Sequence, residues 1–93
     1  MDYKKKLIYK HIGARIAYFR ALNDMTQDEL AHRIHISRGT LSKIERGSYD
    51  SSVSLDTLMD IADVLGMEFS MIISLDSEER KYWQNLLVNK INL

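Results

Sequence analysis

Apolar residues recur every three or four positions along most of this chain, and no proline interrupts the pattern in its 93 residues. That spacing gathers apolar side chains on one side of an α-helix, whereas a half-buried strand needs them at every second position. The first apolar stripe consists of Ile8, Ile12, Ile16 and Phe19. It predicts a helix from Lys4 to Leu22, with Asn23 ending the helix in a left-handed conformation. The pattern as a whole predicts an all-α protein.

Residues that favour helix ends divide the rest of the chain. Thr26 and Glu29 form a capping box, which predicts a second helix from Gln27, with Met25 packing onto Leu30. A third helix over 38–46 and a fourth after Ser54 each follow a capping serine and precede a glycine. These serines and glycines are Ser37, Gly47, Ser54 and Gly66, and the apolar stripe of the fourth helix is Leu55, Leu58, Ile61, Ala62 and Leu65.

The C-terminal third is less clearly patterned. The apolar run from Met67 to Ser74 is compatible with a short helix or a strand, and we predict a helix. Asp76 and Glu79 form a second capping box for a last helix. The apolar residues on one side of that helix are Tyr82, Trp83, Leu86, Leu87 and Ile91. This side either packs on the same subunit or forms a dimer interface. We therefore divide the chain into a domain over 1–75, with a basic N-terminal extension, and a C-terminal helix over 76–93.

The formal net charge of zero hides an asymmetry. Residues 1–49 carry ten Lys and Arg against five Asp and Glu, and residues 50–93 carry three against eight. A surplus of five positive charges in the first part favours a surface that meets polyanions, with an acidic surface facing elsewhere. There is no cysteine, and no stretch approaches the roughly 18 apolar residues of a membrane span, so we expect a cytoplasmic protein without a membrane partner.

Residues 27–46 have the outline of a helix-turn-helix motif, since two short helices are joined by a tight turn. Apolar residues that can point inward are Leu30, Ile34, Ile36, Leu41 and Ile44, and Ala31 is small where two helices cross. Residues on the opposite face of the third helix are Arg38, Gly39, Ser42, Lys43 and Arg46.

A DNA major groove, about 12 Å wide, admits such a helix, and Arg or Lys can donate to guanine O6 and N7. Arg38 and Lys43 are therefore the predicted base readers. Gly39 would permit close backbone approach, and the Thr40 methyl could touch a thymine methyl.

The segment TQDELAHRIHISRGTLSKIERG resembles the lambda-repressor-like family of helix-turn-helix DNA-binding domains, and the likeness extends over 12–73. It implies a compact five-helix bundle, to which this chain adds a C-terminal helix. It also implies a phosphate bond from Gln27, which would brace a side chain of the recognition helix, and a structural pair of Arg20 with Glu45. The implied base contacts are Arg38, Gly39, Ser42 and Lys43, and the implied phosphate contacts are Ser37 and Arg46.

Two features depart from that family. His35 stands where many members carry glycine in the turn. It would need a left-handed backbone, which costs about 1 kcal/mol of stability. The loop after the third helix, SYDSSVS, lacks the frequent proline and carries Asp50, although Ser48, Tyr49 and Ser51 could donate hydrogen bonds to phosphate.

Other polar groups have simpler interpretations. The lysines of the N-terminal extension are either a solvated helix end or additional phosphate contacts; they are Lys4, Lys5, Lys6 and Lys10. His11, His32 and His35 lack the spacing of a metal site. Three aspartates share one side of the fourth helix, at positions 56, 60 and 63, without a nearby nucleophile or phosphate loop. We therefore expect no enzyme, no cofactor and no metal.

These features predict a sequence-specific regulator of transcription that binds double-stranded DNA, acting as a repressor. It would bind a palindromic operator as a homodimer through the recognition helix over 38–46. The alternative is an antitoxin-type module that neutralises a partner protein, a toxin, and regulates its own operon.

Overall fold

A computed structural model describes residues 3–48 and 53–91, and these ranges contain six α-helices and no strand. The helices are α1 (Tyr3–Leu22), α2 (Gln27–Arg33), α3 (Arg38–Arg46), α4 (Leu55–Leu65), α5 (Phe69–Ile73) and α6 (Ser77–Ile91). The predicted all-α class, with five helices followed by an additional C-terminal one, is confirmed. The run after Gly66 is helical, as predicted. The predictions on Tyr49, Asp50, Ser51 and the side chain of Ile91 lie outside the described residues.

Most helix ends are set by the residues that the sequence indicates. Thr26, Ser37 and Ser54 each accept a hydrogen bond from the backbone N–H three residues later, at 3.1, 3.0 and 3.1 Å. Asp76 and Glu79 form a complete capping box, because each side chain accepts from the other's backbone N–H, at 2.7 and 3.1 Å. These caps satisfy N–H groups that have no partner within the helix.

The end of α1 differs from its prediction by one residue. Asn23 still donates its backbone N–H to Phe19 O at 3.2 Å, so the helical hydrogen bonding continues through it. Asp24 takes the left-handed conformation instead, with φ of 54°. The prediction for Asn23 is therefore wrong, and the physical reason is that both residue types tolerate this backbone region.

The core is built by α1 to α5. Its buried residues are Ile12, Ile16, Leu30, Ala31, Ile34, Leu41, Ile44, Leu58, Ile61, Ala62, Leu65 and Ile72. Two residues assigned to apolar stripes are exposed, Ile8 at 38% and Leu55 at 66%. Leu55 is the first residue of α4 and lies beyond the core. Ile8 precedes the part of α1 that meets the core, and the neighbouring Leu7 is buried in its place.

Helix α6 packs on the N-terminal half of α1 and runs antiparallel to it. At its start, Glu79 lies 3.6 Å from Arg15, and at its end Lys90 Nζ lies 5.9 Å from the centre of the Tyr3 ring. Trp83, Leu86 and Leu87 are half-buried, whereas Tyr82 is 68% exposed. The predicted apolar side of α6 therefore faces the same subunit only in part. None of the described helices is both long enough and apolar enough to cross a membrane.

Candidate nucleic-acid interface

Helix α3 is placed by direct backbone contact with α1 at Gly13. A Cβ atom added to Gly13 would lie 2.5 Å from Glu45 O and closer still to Ile44 O. A side chain at this position would therefore overlap the backbone of α3. Sequence reasoning assigned the close helix crossing to Ala31 and missed Gly13. The available signal was a glycine in the middle of a helix, which is unfavourable unless packing requires it.

A network around the Glu45 carboxylate connects α3 to α1 and to the start of α2. Arg20 donates from Nε and Nη2 to the two Glu45 oxygens at 2.7 and 3.0 Å, and Gln27 Nε2 donates to Glu45 Oε1 at 2.9 Å. Only 5% of the Glu45 side chain and 18% of the Arg20 side chain are exposed. Bidentate pairing of this kind fixes geometry as well as charge. The implied pair of Arg20 with Glu45 is present, and Glu45 is the recognition-helix side chain that Gln27 braces.

The same network favours the charged form of Arg20. The hydrogen bond to Glu45 raises the pKa of Arg20 above its ordinary value, and the opposite charge of the carboxylate adds to that effect against partial desolvation. Arg20 Nη1 also donates to Met25 O at 2.8 Å, which connects the guanidinium to the segment before α2. This ionic centre therefore connects α1 both to α3 and to the segment before α2.

The turn between α2 and α3 has the predicted backbone. His35 has φ of 60°, in the left-handed region. Its N–H donates to His32 O at 3.3 Å, and the next N–H, of Ile36, donates to Ala31 O at 3.0 Å. These bonds end α2 and reverse the chain, so that Ser37 can begin α3.

Helix α3 has one buried side and one exposed side. Leu41 and Ile44 are 0% and 2% exposed. The predicted DNA-contacting residues of this helix that are exposed are Arg38, Gly39, Thr40, Lys43 and Arg46, and Ser42 is half-buried. The structure therefore brings six of the eight predicted residues onto the outer surface of α3. Ser37 is exposed at its start, and Gln27, half-buried, begins α2 beside it.

Several of these side chains are held by neighbours. Arg46 Nη1 donates to Ser42 Oγ at 2.6 Å, and Ser37 Oγ donates to Thr40 Oγ1 at 2.8 Å while capping the helix. Arg38 Nε lies 3.9 Å from Asp28 Oδ1, but both side chains are mostly exposed, at 67% and 72%. An exposed pair at this distance is weak, so it leaves Arg38 able to reorient.

His11 contacts the backbone at the end of α5. His11 Nε2 lies 2.8 Å from Ser74 O, at the end of α5. Residues 3–48 and 53–91 contain no group of three or more His, Cys, Asp or Glu side chains placed to hold a metal ion.

The geometry of α2, the turn and α3 defines a helix-turn-helix protein with an outward recognition helix. Residues 16–72 match the model of the helix-turn-helix family HTH_3, and the chain belongs to this family. The lambda-repressor-like resemblance is thereby confirmed. The chain is a transcriptional regulator with a helix-turn-helix DNA-binding domain.

Two sequence relatives and one solved structure are similar over much of the chain. An uncharacterised HTH-type transcriptional regulator of Methanocaldococcus jannaschii is 35% identical over 65 residues, which are 70% of this chain and 96% of that protein. An immunity repressor protein of Bacillus phage phi105 is 39% identical over 62 residues, which are 67% of this chain and 42% of that protein. The clp gene regulator ClgR of Corynebacterium glutamicum superposes with a TM-score of 0.70 at 26% identity, over 89% of this chain and 83% of that one.

Proposed function

We propose that this regulator is a repressor that reads a two-fold symmetric operator as a homodimer, with α3 in the major groove. The observation that carries the proposal is the exposed side of α3, which presents Arg38, Lys43 and Arg46 from a helix held rigidly by Glu45. A groove about 8.5 Å deep accepts such a helix. Selection of duplex DNA in vitro by the purified protein tests the sequence preference and the spacing of the half-sites together.

The proposal gives each predicted residue a role, and hydrogen bonds at the site support those of Gln27 and Ser37. Arg38 and Lys43 read bases, Gly39 permits close approach, and the Thr40 methyl contacts thymine. Gln27 donates one of its two amide N–H groups to Glu45, and the second N–H donates to a phosphate. Ser37 contributes through the N-terminus of α3, since its hydroxyl is engaged with Thr40.

The last two predicted residues act as a pair. Ser42 accepts from Arg46, so it orients the Arg46 guanidinium toward a phosphate and has its own hydroxyl proton left for a base or phosphate acceptor.

Replacing Arg38 or Lys43 with alanine is expected to relax the base preference at one position of each half-site. Each loss should weaken binding to the selected duplex by about 1–3 kcal/mol and binding to unrelated DNA by much less, because base contacts carry the sequence information. Repeating the in vitro selection with each variant measures the change directly.

Arg33→Ala is the matched control, since Arg33 is an exposed basic residue at the end of α2 and does not lie on the recognition helix. It should leave the selected sequence unchanged. If neither Arg38→Ala nor Lys43→Ala alters the selected sequence, the assignment of these two residues as base readers is wrong.

The homodimer proposal is supported by the small size of the reading surface. One recognition helix of nine residues contacts few base pairs, and two copies would reach successive major grooves about 34 Å apart. The proposed division is a DNA-binding domain over 1–75 and a helix over 76–93 that pairs two subunits. Exposed apolar residues on α6 are available for this, with Tyr82 at 68% and Val88 at 52% exposure.

A Tyr82→Glu, Val88→Glu variant is expected to sediment as a monomer at protein concentrations where the unmodified chain is a dimer. Charged residues within an apolar interface lose hydration without gaining a partner. Affinity for a two-half-site duplex should fall about 100-fold, whereas affinity for a single half-site should not change.

A Leu55→Glu, Met59→Glu variant is the control, because it changes two exposed apolar residues of α4 in the same way. The proposed α6 interface is contradicted if the unmodified protein is monomeric while bound to the full operator. It is also contradicted if only the α4 variant dissociates.

The relatives and the regulatory role support repression and a cytoplasmic location. One of them is a phage immunity repressor, which supports repression as the mode of action. Regulation of transcription also requires access to chromosomal DNA, which supports a cytoplasmic location. The antitoxin interpretation is not favoured by these relatives.

A further inference from the structure

Helix α1 begins well before the region that matches the family, and this extension is fixed relative to α3. A Cβ atom added to Gly47, directly after α3, would lie 2.7 Å from both N and Cα of Lys10. The C-terminal end of the recognition helix therefore sits on the backbone of Lys10. Residues 3–9 of α1 continue beyond that end.

One side of α1 faces the C-terminal end of α3. Arg20 on this side pairs with Glu45, Gly13 contacts the α3 backbone, and Lys10 contacts Gly47. One turn further toward the N-terminus, at i−4, the same side carries Lys6. Lys6 is therefore one helical turn beyond the residue that contacts Gly47, and both Lys6 and Lys10 are exposed.

The spacing of packed helices and the depth of the major groove together place this side of α1 at the height of the DNA phosphates. Packed helix axes are about 8–10 Å apart, and the major groove is about 8.5 Å deep. When α3 lies in the groove, the surface of α1 beneath it is therefore at the height of the groove edge. Past the C-terminal end of α3, nothing in α3 separates Lys6 from the DNA backbone.

Helix α6 brings a third amine to the N-terminal end of α1. Lys90 Nζ lies 5.9 Å from the centre of the Tyr3 ring, and Tyr3 shares a side of α1 with Lys6, three residues away. The acidic residues of α6 are confined to its first turn, at Glu78 and Glu79. The later turns carry only basic charges, so the C-terminal half of the chain is not uniformly acidic as its total charge suggests.

We propose that Lys6, Lys10 and Lys90, here called the lysine cluster, bind phosphates of duplex DNA beyond the C-terminal end of the recognition helix. This inference rests on the proposed DNA binding and assigns it a second contact surface. The cluster lengthens the contact along the DNA backbone and adds affinity without reading bases, because phosphate contacts carry no direct sequence information.

The test compares three proteins on two duplexes of equal length, one selected by the unmodified protein and one of unrelated sequence. The cluster variant is Lys6→Gln, Lys10→Gln, Lys90→Gln. The control variant is Lys4→Gln, Arg80→Gln, Lys81→Gln, which removes the same charge from exposed positions outside the cluster. Lys4 lies about 120° around α1 from Lys10, at 100° per residue. Helix content and the midpoint of thermal unfolding are measured for all three proteins.

For each bound subunit, the cluster variant should lower the slope of log affinity against log salt by about 2 to 3, since each phosphate contact contributes about 0.9. At 0.1 M salt this corresponds to a loss of at least roughly 100-fold per bound subunit on both duplexes, with their affinity ratio unchanged. Backbone footprinting should lose protection at the edge of each half-site. The control variant should keep both the footprint and most of the slope.

The possible failures are distinguishable. If the unmodified protein binds neither duplex, the proposed function fails. If it binds but the cluster variant has an unchanged slope, or if both variants lose slope equally, the lysine cluster is not a site. Unchanged duplex binding together with lost binding to single-stranded RNA or anionic vesicles would also overturn the proposal.

Discussion

Replacing Gly13 with alanine is expected to lower the free energy of unfolding by about 3 kcal/mol, because the added methyl overlaps the backbone of α3. Backbone atoms cannot rotate away as a flexible side chain can, so α1 and α3 must separate. For a domain of this size the loss corresponds to a decrease of about 12–24 °C in the midpoint of thermal unfolding. Circular dichroism during heating measures it. Binding to the selected duplex should weaken as well, since α3 is displaced.

Gly39→Ala is the matched control for this prediction. Gly39 also lies within a helix, but a Cβ there would have only Ser37 Oγ nearby, at 3.9 Å. Alanine is the better helix former by about 1 kcal/mol, so this variant should unfold at an equal or higher temperature. If Gly13→Ala is as stable as Gly39→Ala, the close backbone contact of α1 with α3 is not present in solution.

Replacing Glu45 with alanine is expected to lower the free energy of unfolding by about 3–5 kcal/mol. The reason is that Arg20, only 18% exposed, loses both hydrogen bonds to its carboxylate partner and remains a partly buried charge that keeps only its bond to Met25 O. Gln27 loses its acceptor at the same time. Denaturation in urea at constant m-value measures the change.

Asp28→Ala provides the comparison for an exposed pair. Its carboxylate lies 3.9 Å from Arg38 with both side chains mostly exposed, so its removal should change stability by less than about 1 kcal/mol. The double variant Arg20→Leu, Glu45→Leu should recover part of the loss, because neither unpaired charge remains. Equal effects of Glu45→Ala and Asp28→Ala would contradict the role of Glu45 as the centre that holds α2 and α3.

Local signals predicted most of the helices because their causes are local. Thr26, Ser37, Ser54 and the box of Asp76 with Glu79 act within one turn, so their effect is independent of the rest of the fold. The left-handed backbone of His35 follows from the family resemblance instead, since many members carry glycine at that turn position. The left-handed residue at the end of α1 is Asp24 and not the predicted Asn23, so such signals locate a helix end to within about one residue.

Long-range packing accounts for what the sequence left open or assigned wrongly. Leu7 is buried in place of Ile8 because the first turns of α1 meet α6 rather than the core, and no local pattern records that partner. Gly13 appears in the sequence as a weak position in a helix, and only the approach of α3 explains it.

For the candidate site, the sequence by itself determined which residues share the outer side of α3, because helical periodicity and the buried Leu41 and Ile44 leave Arg38 and Lys43 outside. Only the tertiary structure decided how that helix is held and what surrounds it. The Glu45 network and the contact of Gly13 with α3 join residues that are 18 to 32 positions apart. Contacts at such separations follow from the packing of whole helices, which no local pattern of residues encodes.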